Sequence, residues 1–186
     1  MKLEPTPLAG VMIASTDVRG DSRGSFARLF CADDLAKSLQ GRAIVQINQS
    51  VTRTPGTVRG FHYQRPPHAE MKLVRCLRGA VWDVAVDLRA GSPTFLKWHA
   101  VELSPANARM MIVPEGCAHG FQTLAPDSEL LYLHTRAYAP DAEDGVAWND
   151  VTLAVRWPVP LPERDGLSER DRALPSLGTT FAGIRT

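Results

Sequence analysis

The sequence has almost no excess of either charge. Its 21 lysines and arginines stand against 20 aspartates and glutamates, which leaves a net charge of +1 at pH 7 with the histidines neutral. Proteins that attract nucleic acid or an anionic membrane through their overall field carry a marked positive excess. We therefore expect neither of these partners, and any anion that this chain recognises must be held by individually placed residues.

Cysteines and long apolar runs are also scarce. Cys31, Cys76 and Cys117 are far apart and odd in number, which argues against a disulfide framework and suits a reducing compartment. No run approaches the roughly 18 apolar residues that a membrane span needs. The short apolar run near the N-terminus follows Glu4 and two prolines, unlike the clean apolar segment of a secretory signal. We therefore expect a soluble, cytoplasmic protein.

The pattern that remains is mostly that of short β-strands. Their spacing of about 8–12 residues, with glycine and proline at the turns, favours a sandwich or barrel. The predicted strands are 10–15, 24–30, 43–50, 71–77, 80–88, 98–103, 108–113, 119–124 and 129–135. One helix is predicted at 32–39, with Asp33 or Asp34 placed to cap its first turn.

The run 80–88 has the clearest period of two. One face is apolar throughout and should meet a core; it consists of Trp82, Val84, Val86 and Leu88. The opposite face contains two carboxylates; it consists of Val81, Asp83, Ala85 and Asp87.

From about residue 139 onwards, prolines and charges become frequent. Prolines interrupt helices and sheets, so this part of the chain predicts a tail that wraps or docks rather than a second domain. The length of 186 residues suffices for one domain with a proper core. We therefore expect a single domain over 1–186, with a core at about 10–157 and a wrapping segment at 158–186.

The five histidines are the side chains best suited to acid–base chemistry near neutral pH. His119 ends a Pro-x-Gly-x-x-His segment, from Pro114, that resembles the second motif of the cupin superfamily of small jelly-roll domains. Many cupins bind a metal through this histidine and a His-x-His pair in their first motif. Here that pair reads His62, Tyr63 and Gln64, so one ligand is missing, and we expect no metal and no other cofactor.

A closer resemblance covers roughly residues 10 to 175. The segments that carry it, in order, are DSRGSF, QINQS, VRGFHYQRPPHAEMKLVRCLRGAVWDVAVDLRAGSPTF, PEGCAHGF, ELLYLHT, YAPDAEDGVAWND and LSERD. Together they resemble the dTDP-4-dehydrorhamnose 3,5-epimerase family. The resemblance implies an all-β, cupin-type jelly roll with a few short helices and a C-terminal tail. It also implies a nucleotide-sugar substrate, no cofactor and a homodimer.

The resemblance further implies a set of catalytic residues. The family's base falls on His62, its lysine on Lys72, its acid on Tyr132, and the aspartate that pairs with the base on Asp171. A carboxylate beside an imidazole fixes its tautomer. Asp83 is a competing candidate for the carboxylate partner of His62, because its strand turns carboxylates toward one face.

These groups fit one reaction. A ketone at C4 of a sugar acidifies the hydrogens on C3 and C5, and His62 would remove one of them. Lys72 would stabilise the enolate oxygen that forms, and Tyr132 would return a proton from the other face. Such an epimerisation requires no metal or redox cofactor.

Substrate-binding positions follow from the same resemblance. The two arginines that match phosphate ligands suit bidentate contacts with a diphosphate, and a tyrosine matches the residue that stacks on the base. The implied binding residues are Arg23, Gln46, Asn48, Arg59, His119, Tyr138, Glu143 and Arg170.

The chain departs from the family pattern at a few positions. Arg28 replaces a glutamate that usually contacts the nucleoside, which leaves the identity of the nucleotide base open. Ala137 replaces an aromatic residue, and Leu133 with His134 replaces a run that usually contains lysine. These changes are compatible with inversion at one carbon rather than two.

Two hypotheses of other classes stand beside an epimerase. A metal-dependent cupin would need three or more clustered ligands, and the missing His-x-His pair argues against it. A non-catalytic module that binds nucleotide sugars would not need His62, Lys72 and Tyr132 together.

Overall fold

The computed structural model describes residues 1–185. Strands dominate it, and they are β1 (Lys2–Pro5), β2 (Met12–Ser15), β3 (Val18–Asp21), β4 (Gly24–Ala27), β5 (Gln46–Thr52), β6 (Val58–Gln64), β7 (Lys72–Arg78), β8 (Val81–Asp87), β9 (Trp98–Leu103), β10 (Arg109–Val113), β11 (Cys117–Thr123), β12 (Ser128–His134) and β13 (Glu143–Gly145). The helices are α1 (Ala36–Leu39) and α2 (Glu169–Arg172), with a 3-10 turn at Pro140–Ala142. No helix in the described part of the chain is long and apolar enough to cross a membrane.

Two antiparallel sheets face each other. One has six strands in the order β1-β2-β10-β7-β12-β5, and the other has five in the order β13-β6-β11-β8-β9. An apolar core fills the space between them, with Val74 and Leu130 from the six-stranded sheet against Ala85 and Phe121 from the five-stranded sheet. Strands β3 and β4 form a separate hairpin. The predicted all-β fold of packed sheets is confirmed.

Strand β6 is the main element that the sequence pattern did not predict. Polar residues interrupt its alternation, and Gly60 lies in its middle. The glycine is required there because β6 passes very close to β11. A Cβ atom at Gly60 would lie 2.6 Å from the Cα of Gly120, and its φ of +118° is one that other residues rarely adopt.

Helix α1 is shorter than predicted, and its predicted cap is wrong. It begins at Ala36, and its N-cap residue is Leu35, which makes no side-chain hydrogen bond there. The carboxylate of Asp34 instead accepts hydrogen bonds from the amino group of Met1 at 2.5 Å and from Arg28 at 3.1 Å. The Asp34 carboxylate is therefore bonded to two cations and does not cap the helix.

Strand β8 has the two faces that its alternation predicts. Val84 and Val86 pack into an outer apolar cluster, and Ala85 faces the core between the sheets. The segment after β13 covers the outer side of the five-stranded sheet, where Leu153 and Phe181 join the cluster. The same segment continues into α2, which lies next to β6.

Candidate active site

A cavity of about 270 Å³ opens between the two sheets. Both sheets contribute polar side chains to its wall, in contrast to the apolar core beside it. The lining residues are Asn48, Gln49, Ser50, Arg59, His62, Lys72, His119, Phe121, Tyr132 and His134. Six of the twelve residues predicted from the sequence are therefore brought together here: Asn48, Arg59, His62, Lys72, His119 and Tyr132.

Strand register explains why these side chains meet. Paired residues on adjacent strands point to the same face of a sheet. His62 on β6 pairs with His119 on β11, and Lys72 on β7 pairs with His134 on β12. Tyr132 lies two residues before His134, so that the period of two turns both into the cavity.

His62 forms a hydrogen bond with the carboxylate of Asp171. Its Nε2 lies 2.7 Å from Oδ1, and Oδ2 of the same carboxylate accepts a hydrogen bond from the hydroxyl of Ser168 at 2.7 Å. Burial alone would raise the pKa of Asp171, but the hydrogen bonds from His62 and Ser168 outweigh it and lower that pKa. The carboxylate is therefore ionised, and an ionised carboxylate favours the His62 tautomer with its hydrogen on Nε2.

A second buried pair lies beside the first. Nε2 of His119 is 2.7 Å from Oδ1 of Asp83, and Asp83 is completely buried. Oδ2 of Asp83 has no hydrogen-bond partner among the described residues. Of the two carboxylates considered as partners of His62, Asp171 contacts it and Asp83 contacts His119.

Lys72 is nearly buried within the wall of the cavity. Its ammonium group lies 3.2 Å from Oε1 of Glu70 and donates a hydrogen bond to the carbonyl of His62 at 3.2 Å. It is therefore a fixed positive charge whose position is set by both neighbours.

Tyr132 is in the sheet opposite His62. Its ring meets His119 edge-on at 5.9 Å between centroids and stacks with His134 at 6.0 Å. Burial, together with the nearby charge of Asp83, raises the pKa of Tyr132 above its ordinary value. The phenol is consequently protonated at neutral pH.

Four further predicted residues form a cluster outside the cavity lining. The hydroxyl of Tyr138 donates to Glu143 at 2.5 Å, and Arg170 forms an ion pair with the same carboxylate. Gln46 accepts a hydrogen bond from the backbone N–H of Tyr138 at 2.9 Å and donates one to Asn48 at 3.2 Å. Gln46 therefore connects this cluster to the cavity, and the ring of Tyr138 is half exposed.

Arg23 is not brought to the cavity within this chain. It lies at the exposed turn of the β3–β4 hairpin, where it pairs with Asp21 at 2.7 Å. Phe26 on the same hairpin is 74% exposed. Arg28 lines a groove at the base of the hairpin together with Phe26, and it pairs with Asp34.

Sequence reasoning missed some residues that hold the site in place. Glu70 and Ser168 were not singled out, and His134 was noted only as a departure from the family. The alternation of β12 gives a signal for His134, since it lies two residues after Tyr132. Nothing local in the sequence indicates that Glu70 pairs with His134 and Lys72. Among residues 1–185, no group of three or more His, Cys, Asp or Glu side chains is close enough to hold a metal ion.

The chain matches the family model described as dTDP-4-dehydrorhamnose 3,5-epimerase over residues 5–179. It belongs to that family. A dTDP-4-dehydrorhamnose 3,5-epimerase from Salmonella typhimurium is 43% identical over 175 residues, which cover 92% of this chain and 93% of the relative. The family and the isomerase class predicted from the sequence are thereby confirmed.

Solved structures of family members have the same fold. The dTDP-6-deoxy-D-glucose-3,5-epimerase of Legionella pneumophila, in complex with dTDP-4-keto-L-rhamnose, matches with a TM-score of 0.91 and 36% identity over 100% of this chain and 98% of that one. A 4-keto-6-deoxy sugar epimerase from the novobiocin biosynthetic gene cluster of Streptomyces spheroides matches with a TM-score of 0.87 and 37% identity, covering 95% and 87%. The predicted cupin-type jelly roll of the family is confirmed.

The hydrogen bond from Ser168 to Asp171 generates a prediction about acid stability. A carboxylate with a lowered pKa stabilises the folded state above its unfolded pKa, and this contribution disappears as the pH falls through the folded pKa. Ser168→Ala removes a hydrogen bond to the ionised form and the cap of α2, so the pKa of Asp171 should rise. Stability at neutral pH should fall by about 1 kcal/mol, and the acid transition should begin at a higher pH.

Denaturant unfolding at a series of pH values measures the stability change, and carboxyl ¹³C NMR measures the pKa. Ser168→Thr is the matched control because threonine retains the capping oxygen. An unchanged Asp171 pKa in Ser168→Ala would show that this hydrogen bond does not maintain the carboxylate charge.

Proposed function

We propose that this protein epimerises dTDP-4-keto-6-deoxy-D-glucose at C3, C5 or both, with dTDP-4-keto-L-rhamnose as the product of double inversion. One observation carries the proposal. A histidine with a buried carboxylate partner and a protonated tyrosine come from facing sheets into one cavity, and a fixed lysine lies in the same wall. Inversion at a carbon next to a ketone needs a base on one face, an acid on the other face and a cation beside the enolate oxygen.

His62 acts as the base. Its Nε2 is taken by Asp171, so Nδ1 is the nitrogen that accepts the proton from C3 or C5. The electron pair of the broken C–H bond moves into the ring as an enolate, with the negative charge on the C4 oxygen. Asp171 stabilises the imidazolium that results, and a positioned proton transfer of this kind contributes roughly 10²–10⁴-fold to the rate.

Lys72 stabilises the enolate oxygen. Its ammonium is held by Glu70 and by a backbone carbonyl before the substrate arrives, so little reorganisation is needed when the charge develops. Groups fixed in this way, within a site that excludes water, stabilise a transition state more than mobile charges do.

Tyr132 returns the proton. It enters the cavity from the sheet opposite His62, which suits delivery to the other face of the carbon. The raised pKa of Tyr132 keeps its proton available at neutral pH. The phenolate regains a proton from solvent, and His62 releases the abstracted proton to solvent, so that the enzyme returns to its initial state.

The remaining predicted residues bind the nucleotide. Arg59 is exposed at the cavity and binds the diphosphate, and Tyr138 stacks on the base beside Glu143 and Arg170. Asn48, Gln46 and His119 contact the sugar and its neighbouring groups. We assign dTDP as the nucleotide on the strength of the ligand bound in the Legionella pneumophila relative.

We also propose that the protein is a homodimer that works in the cytoplasm, as its free cysteines suit. Strand β5 is an edge strand. Its side chains Ile47 and Val51, and Val45 directly before the strand, are each more than half exposed, and such an edge favours pairing with a second chain. In the dimer, the β3–β4 hairpin of one protomer brings Arg23 to the cavity of its partner.

The first experiment follows exchange with solvent. In D₂O with dTDP-4-keto-6-deoxy-D-glucose, ¹H NMR should show deuterium entering C3, C5 or both. His62→Ala should slow this exchange by about 10²–10⁴-fold, since the base is lost. The matched control is His68→Ala, because His68 is exposed and lies outside the cavity lining. No exchange by the wild type, with dTDP-, CDP-, UDP- or GDP-linked 4-keto sugars, would refute the proposal.

The second experiment separates proton removal from proton return. Tyr132→Phe keeps the ring and removes the donor, so exchange at the carbon should persist while inversion falls by about 10²-fold. The ratio of deuterated substrate to epimerised product, measured by NMR, gives the two rates. Full inversion by Tyr132→Phe would mean that another group is the acid.

Exchange at only one carbon would identify a single-carbon epimerase. The same NMR spectra decide this, because the hydrogens at C3 and C5 are resolved from each other. Ala137 and His134, which depart from the family pattern, would then be the first residues to examine for the cause of this specificity.

The dimer is tested at its edge strand. Ile47→Lys places a charge in the exposed apolar row of β5 and should convert a species of twice 20.4 kDa into a monomer in sedimentation experiments. Val151→Lys is the matched control, because Val151 is 87% exposed and lies outside this row. A wild-type protein that sediments as a monomer would exclude the dimer.

A further inference from the structure

A third pair of an imidazole and a carboxylate borders the cavity. Nδ1 of His134 lies 2.8 Å from Oε2 of Glu70, and Oε1 of the same carboxylate lies 3.2 Å from the ammonium of Lys72. Glu70 therefore bridges a histidine and the lysine of the site. None of the catalytic steps described above uses either His134 or Glu70 directly.

This bridge between Glu70, Lys72 and His134 is buried. The side chains of Glu70, Lys72 and His134 are each about nine-tenths buried, at 7%, 11% and 10% exposure. Burial alone would raise the pKa of Glu70, but His134 and Lys72 lower it, so the carboxylate is ionised. Removing one partner of a buried charge leaves an uncompensated group, which is strongly destabilising. Separating any of these three side chains from the others would therefore cost stability.

The strand register fixes the order of these groups along the wall. His134 pairs with Lys72 across β12 and β7, and it pairs with Gln46 across β12 and β5. Lys72 and His134 are thus direct neighbours on the inner face of the six-stranded sheet. Tyr132 stacks on His134 with the ring planes 17° apart.

The free nitrogen of His134 is directed toward the cavity side. With the hydrogen on Nδ1 donated to Glu70, Nε2 is an acceptor, and the amide of Asn48 lies 3.4 Å from it. That contact is long and involves an exposed side chain. A sugar hydroxyl can replace the amide as donor to Nε2, since His134 and Asn48 line the same cavity.

We propose that His134 is a sugar-binding residue of this cavity, and that Glu70 is a positioning residue that holds His134 and Lys72 beside each other. This rests on the proposed function, because the ligand is the sugar of the nucleotide-sugar substrate. The pair gives the wall one acceptor for a hydroxyl next to one cation for the C4 oxygen.

NMR of the histidine ring nitrogens tests the binding role independently of the rate of turnover. In the ¹⁵N-labelled enzyme, His134 should be protonated on Nδ1, and its signal is assigned by its absence in His134→Gln. Adding dTDP-4-keto-6-deoxy-D-glucose should shift the Nε2 resonance, whereas dTDP alone should leave it in place. Equal shifts with both ligands, or no shift with the sugar nucleotide, would overturn the assignment.

Kinetics test the positioning role. Glu70→Gln should lower kcat by on the order of 10²-fold, because Lys72 loses its fixed position, and His134→Gln should raise KM by about 3- to 10-fold. In the double variant, kcat should fall no further than it does in Glu70→Gln. Its KM should rise no further than it does in His134→Gln. The controls are Glu102→Gln and His68→Gln, which change exposed residues outside the cavity.

A purely structural role for Glu70 would give a different result. Glu70→Gln would then lower the thermal midpoint while the folded fraction kept its kcat, and this outcome contradicts the proposal. Glu70→Asp, which retains the charge, should restore most of kcat if positioning by charge is correct; equal losses in Glu70→Asp and Glu70→Gln would overturn it. Failure of the epimerase proposal itself is seen separately, as the absence of solvent exchange in the wild type.

Discussion

The structure depends on one constraint: each carboxylate buried at the cavity needs an N–H donor beside it. Asp171 has His62, Asp83 has His119, and Glu70 has both His134 and Lys72. An ionised group in such surroundings is tolerated only when it is paired. The same pairs of carboxylate and N–H donor therefore form the site and allow these carboxylates to be buried between the two sheets. These pairs leave Oδ2 of Asp83 as the carboxylate oxygen without a hydrogen-bond partner among the described residues.

Antiparallel pairing makes this arrangement possible. A period of two turns alternate residues of β12 inward, and the ladder places them opposite residues of β7 and β5. Strands β6 and β11 pass close to each other at Gly60 and Gly120, and His62 pairs with His119 across them. Precise placement of functional groups is thus a property of regular strands, which hold side chains more tightly than loops do.

The sequence predicted much of this, for identifiable reasons. Alternation located β8 and its two faces, and turn residues located most strand boundaries. Strand β6 was missed because its polar residues and Gly60 mask the period of two. The pairing of Asp171 with His62 could be inferred only through family resemblance, since contact between residues 109 positions apart has no local signal. The same limit hid Glu70, whose role depends on the strands beside it, and Ser168, whose role depends on where α2 docks.

The separation of His62 and Asp171 along the chain also sets the order in which the site can form during synthesis. His62 on β6 is translated long before Asp171, because 109 positions separate the two residues along the chain. A nascent chain therefore contains an incomplete pair until residues 168–172 have emerged from the ribosome. The contact between His62 and Asp171 can therefore form only after the segment that carries α2 has been made and has docked against β6.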